Sequence, residues 1–216
     1  MSLVEKYALL PDEIDRESLK RVEASLPDSL SFSHAERYVV CRIVRAEGDP
    51  EIARSVRFSA DAVEIGLEAI RAGAEVVTDV RMVEVGISKM LLTALNVHTR
   101  CQIDAPGAAA RAKEEGTTRS VAAMRELAPY LDGAVVAIGN APTALLALLD
   151  LVAERGVRPA LVIGMPVGFV ACVESKEELV RSPVPYISIM DRRGGSSAAA
   201  ATVNALLSLA AEAEPK

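Results

Sequence analysis

Two hydrophobic segments, each followed by a loop of small residues, constrain the fold of this chain more than any other feature. They are VVAIGNAPTALLALL at residues 135–149 and ALVIGMPVGFV at residues 160–170. In each segment a β-branched run predicts a buried strand, and the glycines and prolines behind it predict where that strand stops. Small residues at the carboxyl ends of neighbouring strands let a large flat ligand approach the backbone. Ordinary turn chemistry is the alternative explanation for these loops.

The rest of the chain alternates predicted helices with predicted strands. The predicted helices cover residues 11–25, 33–48, 59–73, 106–115, 118–131, 142–155, 174–181 and 197–213. The predicted strands cover residues 74–79, 96–103, 134–138, 161–164 and 186–189. This alternation predicts an α/β fold with a mostly parallel five-stranded sheet behind an N-terminal helical segment. We expect a single domain over residues 1–216, helical in 1–73 and built on the sheet in 74–216.

Composition excludes several classes of function. Only 3% of the residues are aromatic and the net charge is −6, which argues against nucleic-acid binding by stacking or by a basic surface. The 3 cysteines show no CxxC spacing and only 2 histidines are present, so we expect no metal site. Free thiols and a first segment unlike a secretory leader predict the cytoplasm. No apolar run is long enough to predict a membrane span.

Several ligand-binding and catalytic motifs are absent from the sequence. It contains no GxGxxG after a strand, no GxxxxGK[ST] and no GxSxG, so we expect neither a nucleotide site nor a serine-hydrolase elbow. A local basic cluster would instead suit a broad polycarboxylate ligand. The candidate basic residues are Arg42, Arg45, Arg81, Arg100, Arg119, Lys176, Arg192 and Arg193. The segments GTTRS (116–120) and GGSS (194–197) each predict either an anion-binding helix start or a plain cap.

The chain resembles the precorrin-8X methylmutase family from about residue 14 to residue 206. The matching stretches include RAGAEVVTD (71–79), AIGNAPTA (137–144), IGMPVGFV (163–170) and ESK (174–176). The resemblance implies a three-layer α/β/α homodimer with its site near the subunit interface. It also implies a methyl transfer from C-11 to C-12 of a tetrapyrrole, with no metal or organic cofactor. The implied chemistry is acid-assisted, with a histidine donating a proton to the macrocycle.

Two residues are candidates for the catalytic role. The family pattern MVHA-x-G corresponds here to IVRAEG (43–48), so Arg45 stands at the position of the family's histidine. An arginine keeps its proton at neutral pH and is a poor acid, although it binds carboxylates well. On its helix Arg45 lies opposite the apolar stripe, on a face expected to meet solvent in a monomer or a partner in a dimer. His98 is the second candidate.

The resemblance and the small-residue loops together predict the substrate-binding residues. They are Ser18, Thr78, Asp79, Met82, Gly86, Thr118, Arg119, Ser120, Asn140, Ala141, Pro142, Thr143, Gly164, Met165, Pro166, Gly168 and Lys176. Three functions are compatible with this set: a methylmutase of corrin biosynthesis, a tetrapyrrole-binding relative that has lost the acid, and an isomerase acting on a different tetrapyrrole. The substrate is precorrin-8X or its cobalt form in the first of them.

Overall fold

The computed structural model describes residues 2, 3, 10–27 and 29–212, in which helices and strands alternate. The α-helices are α1 (Pro11–Ser25), α2 (His34–Glu47), α3 (Ala62–Arg71), α4 (Arg81–Gly86), α5 (Lys89–Leu95), α6 (Ala108–Glu114), α7 (Arg119–Glu126), α8 (Pro142–Arg155), α9 (Cys172–Arg181) and α10 (Ser196–Ala211). The strands are β1 (Val56–Phe58), β2 (Val76–Thr78), β3 (Thr99–Cys101), β4 (Val135–Ile138), β5 (Leu161–Gly164) and β6 (Tyr186–Ile189). Short 3₁₀-helices lie at Pro50–Ser55 and Ala128–Tyr130.

The six strands form one sheet in the order β1-β6-β5-β4-β2-β3. The five predicted strands β2 to β6 pair in parallel, and β1 pairs antiparallel with β6, with Val56 opposite Ile189. The predicted strand count was therefore one short. Strand β1 was missed because its three residues are too few to show a period. It lies within the first 73 residues, which the sequence assigned to helices. The extent of the domain stays a prediction.

Alternating strand residues supply two cores, one on each face of the sheet. Val76, Val135 and Leu161 belong to the core beneath α2, α3 and α10, whereas Val77 and Val136 belong to the core beneath α7, α8 and α9. This period of two is what a strand buried on both faces requires. The predicted three-layer α/β/α architecture is confirmed.

Helix α2 shows how the sequence sets its boundaries and its buried face. At its start, the Glu36 N–H donates to Ser33 Oγ at 3.2 Å and the Ser33 N–H donates to Glu36 Oε2 at 2.8 Å, which is a capping box. At its end, Gly48 adopts a φ of 69°. Helix α1 packs against α2, and the Cys41 thiol donates to Glu23 of α1 at 3.0 Å. The face predicted to meet solvent or a partner is thus partly covered within the chain.

Other helices depart from the prediction in detail. The chain between β2 and β3 forms α4 and α5, where no helix was predicted, because each has seven residues or fewer and too few turns to show a period. The helix predicted over 118–131 divides into α7 and the second 3₁₀-helix, since Pro129 interrupts it. Ala213, at the predicted end of the last helix, lies outside the described residues. None of the described helices is long and apolar enough to cross a membrane.

Candidate active site

The crevice expected to bind ligand lies between β2 and β4, and a side chain of the protein fills it. The chain leaves β2 toward β3 on one side and returns to β4 on the other, so the loops behind these strands diverge there. The Asp79 carboxylate, directly behind β2, accepts the backbone N–H groups of Gly139, Asn140 and Ala141 at 3.0, 2.9 and 2.8 Å. These groups lead into α8, so the carboxylate occupies an anion site at a helix N-terminus.

The small residues of both loops make room for protein atoms. A Cβ placed on Gly139 would lie 2.7 Å from Val83 Cγ2 and 2.8 Å from Ser196 Cα. In the second loop Gly164, Met165 and Pro166 are buried. The glycines therefore let helices approach the sheet closely, and no exposed backbone surface remains at that point for a flat ligand.

An open cleft lies instead among the helices on one face of the sheet. Its volume is about 670 Å³, and it runs between α1 and α2 on one side and α4 and α10 on the other. Its lining residues are Asp15, Arg42, Arg45, Ala46, Met82, Gly86, Ser196, Ser197, Ala200, Ala201 and Asn204. A volume of this size accommodates a large organic ligand.

Two arginines of α2 give the cleft its charge. Arg45 donates through Nη1 to the Asp15 carboxylate of α1, and Arg42 Nη1 lies 3.6 Å from the same oxygen. Their side chains are 31% and 22% exposed. Asp15 is the carboxylate that meets both guanidinium groups, and the Glu47 carboxylate lies beside the cleft, where it accepts the hydroxyl of Ser197. Planar guanidinium groups with free N–H donors bind carboxylates in a bidentate manner.

Comparisons with known proteins agree on one family. Residues 13–209 match the model of the precorrin-8X methylmutase family. The chain is 40% identical over 200 residues to the cobalt-precorrin-8 methylmutase of Priestia megaterium, covering 93% of this chain and 88% of the relative. It is 43% identical over 167 residues to the precorrin-8X methylmutase of Pseudomonas aeruginosa, covering 76% and 80%.

A solved structure extends this agreement to the fold. The crystal structure of precorrin-8x methyl mutase from Thermus thermophilus superimposes with a TM-score of 0.87 at 42% identity, covering 93% of this chain and 97% of that one. The chain belongs to the precorrin-8X methylmutase family. The prediction of an isomerase of the methylmutase type, acting in cobalamin biosynthesis, is confirmed.

The structure brings three residues of the predicted site together in this cleft. Arg45, Met82 and Gly86 line it, and Ser18 lies one turn along α1 from Asp15 without lining it. The structure also adds residues that the sequence did not single out, above all Asp15 and Asn204. Asp15 pairs with Arg45, which lies 30 residues further along the chain, so no local pattern marks it.

A second group of predicted residues meets on the opposite face of the sheet. Thr118 Oγ1 and Thr143 Oγ1 are 3.1 Å apart, which joins the start of α7 to the start of α8. Thr118 also caps α7 by accepting the Val121 N–H at 3.2 Å. Arg119 and Asn140 are exposed beside this contact, while Ser120 and Pro142 are half-buried. The group provides donors at two helix starts, away from the residues that line the cleft.

Lys176 lies beneath the start of α10 with no exposed surface. Its Nζ donates to the carbonyl oxygens of Asp191 and Arg193, each at 2.7 Å. Burial lowers the pKa of this ammonium group from its ordinary value, and the neighbouring Cys172 and Asp191 oppose that shift. The ammonium therefore holds the chain that leads into α10, and Lys176 is not among the residues that line the cleft.

The remaining predicted residues lie outside the cleft. Thr78 is buried at the end of β2, and Gly168 is half-buried with a φ of 146°. His98 is exposed directly before β3, and its carbonyl oxygen accepts the Val76 N–H at 2.9 Å. It therefore lies at the amino ends of the parallel strands, the edge opposite to the loops behind β2 and β4.

Proposed function

We propose that this chain moves a methyl group from C-11 to C-12 of precorrin-8X or its cobalt form, and that the ring binds in the cleft between α2 and α10. The observation that carries the proposal is the pair of arginines, Arg42 and Arg45, side by side in a cleft of about 670 Å³ in a methylmutase fold. The rearrangement is intramolecular. One carbon–carbon bond breaks and another forms within the same molecule, so no redox partner is needed.

The residues of the cleft divide into those that hold charge and those that hold the ring. Arg42 and Arg45 bind peripheral carboxylates of the tetrapyrrole. The Ser196 hydroxyl and the N–H groups at the start of α10 attract a second carboxylate, because a helix N-terminus carries partial positive charge. Met82 and Ala200 provide apolar contact for the face of the ring.

Arg45 serves this reaction as a fixed hydrogen-bond donor. A guanidinium group stays protonated across the physiological range, so Arg45 binds and orients the substrate without handing over a proton. Its Nη1 is engaged by Asp15, which leaves other N–H donors for the substrate. A proton that the macrocycle requires then comes from water, because His98 lies at the opposite edge of the sheet.

A single-turnover reaction tests this function. Purified protein is mixed with precorrin-8X, and absorbance and mass are followed. We expect the corrin spectrum at unchanged mass, and a rate without an inflection between about pH 6 and pH 7, where an unperturbed imidazole titrates. Arg45→His introduces such an inflection, whereas Arg45→Lys weakens binding without introducing one. The matched control is Arg21→His on the exposed side of α1, with an unchanged profile.

A tetrapyrrole-binding relative without activity is the second candidate function. The pairing of Arg45 with Asp15 favours it, since the group at the acid position is already engaged. Tight binding of precorrin-8X with no change in spectrum, together with conversion by Arg45→His, would establish this second function and contradict the first.

We also propose a cytoplasmic homodimer. Phe169 and Val170 of the loop behind β5 are 86% and 85% exposed, which is unusual for neighbouring large apolar side chains and supports a contact between subunits. Light scattering measures the oligomeric state of the purified chain and of the Phe169→Ser variant. A monomeric wild-type protein contradicts it.

A further inference from the structure

Asp15 has no assigned role, yet it is the carboxylate nearest to both arginines of the cleft. We propose that Asp15 is an internal counter-ion that competes with a carboxylate of the substrate for Arg42 and Arg45, and thereby sets how tightly the cleft holds carboxylated ligands. This inference rests on the proposed function, because it assigns a specificity-determining residue to the same cleft.

The geometry places Asp15 where a ligand carboxylate would bind. Its Oδ1 accepts from Arg45 Nη1 and lies 3.6 Å from Arg42 Nη1. Its side chain is 49% exposed, so it is free to move toward water when a ligand arrives. Among the residues that the structure describes, no other acidic side chain forms an ion pair with Arg42 or Arg45. Displacing Asp15 therefore frees both guanidinium groups at once.

Competition of this kind suits an isomerase. The product carries every carboxylate that the substrate carries, so tight binding of the carboxylates alone would hold both equally and would slow product release. Asp15 rebinds the arginines when the ligand leaves, which lowers the affinity of the cleft for substrate and product alike. Asp15 acts on the ligand only through the arginines, so its effect is measured as a change in Kd.

Electrostatics predicts the sign of the effect. Asp15→Asn removes one negative charge beside the arginines, and the cleft then attracts an additional carboxylate more strongly. A partly exposed ion pair contributes up to about 1 kcal/mol, which corresponds to a change in Kd of about fivefold. A residue that only fixed α1 in place would change the stability of the protein and leave this Kd alone.

The experiment is calorimetric titration of the whole protein with mellitate, a flat hexacarboxylate without a tetrapyrrole ring. We expect Asp15→Asn to bind mellitate about fivefold more tightly than the wild type, and the gain to disappear in Asp15→Asn/Arg45→Gln. Glu17→Gln is the matched control, because it removes the same charge from α1 but pairs with Arg21 away from the cleft. It leaves the Kd within about twofold.

Each other outcome overturns the proposal in a recognisable way. An unchanged Kd, or no binding by either protein, means that Asp15 does not compete. Weaker binding by Asp15→Asn means that it orients the arginines instead. A wild-type protein that neither binds nor converts precorrin-8X contradicts the proposed function, while the mellitate comparison still decides the role of Asp15.

Discussion

Lys176 illustrates how a charged residue acts from inside the protein. It lies in the ESK stretch and was predicted to bind a substrate carboxylate, but its ammonium group is enclosed and donates to two backbone carbonyls. Those carbonyls belong to Asp191 and Arg193, just before the glycine pair that leads into α10. Gly194, with a φ of 133°, has no room for a side chain, since a Cβ there would lie 2.6 Å from the Met165 oxygen. Lys176 therefore shapes one wall of the cleft without touching it.

Lys176→Met should lower the free energy of unfolding by about 2 kcal/mol, because hydrogen bonds to a charged donor contribute about 1.5–3 kcal/mol and both carbonyls lose theirs. Urea unfolding measures the loss. Hydrogen exchange should also quicken at the Gly195 N–H, which donates to the Met165 oxygen at 2.9 Å. Lys113→Met, on the exposed surface of α6, is the control and should stay within about 0.5 kcal/mol. Equal effects of the two variants would contradict the role of Lys176.

At the scale of elements, the glycines behind the strands control how closely α10 approaches the sheet. Gly139 meets both α4, through Val83, and the first turn of α10, through Ser196. The start of α10 lines the cleft, so the packing of Gly139 sets the position of that wall. The same loop carries the N–H groups that bind Asp79, and a displaced loop would loosen these hydrogen bonds as well.

Gly139→Ala should destabilise the protein by about 1–3 kcal/mol, because an added methyl group meets a backbone atom that cannot turn aside. Thermal unfolding measures this change. Gly107→Ala makes the same substitution at the start of α6, where the nearest atom to an added Cβ is 3.9 Å away, and it should unfold like the wild type. If Gly139→Ala were as stable as Gly107→Ala, the close approach of α10 would have no energetic importance.

The sequence predicted elements that carry their own pattern and missed those that depend on distant partners. The parallel strands and the helices α2 and α8 have β-branched runs, helical periods and caps, and each was located. Strand β1 and helices α4 and α5 are short and take their form from neighbours. In the cleft, Arg45, Met82 and Gly86 came from stretches shared with the family, whereas Asp15 is paired with Arg45 across 30 residues of sequence. No feature of the local sequence indicates that Lys176 is buried.

At the scale of the whole molecule, Arg193 connects the two sides of the cleft. It donates to Asp49 at 2.7 Å, just beyond α2, and to Asp191 at 2.6 Å, before α10. It also donates to Ser55 at 3.1 Å. Burial raises the pKa of Asp191, but the hydrogen bonds from Arg193 and Ser55 outweigh it and bring the pKa from its ordinary 3.8 to about 2.

A carboxyl group whose pKa is lower in the folded than in the unfolded protein stabilises the folded state. This stabilisation is complete above the pKa of the unfolded protein and is lost as the pH falls through the pKa of the folded protein. Arg193→Gln should therefore be less stable than the wild type at pH 7 by about 1 kcal/mol, the upper range for partly exposed pairs. The difference should shrink between pH 3.8 and about pH 2. Urea midpoints across this range measure it, with Arg181→Gln on α9 as the control. A difference independent of pH would contradict this coupling.

The carboxylate of Asp79 affects which solutes of a cell the protein can bind. Folds of this architecture commonly seat a phosphate ester behind the strands where the chain reverses direction. Here the Asp79 carboxylate occupies that position and accepts the three backbone N–H groups that would otherwise face a ligand. Free nucleotides and inorganic phosphate therefore have no open binding site at that position, however abundant they are. A ligand meets open space in the cleft between α2 and α10 instead.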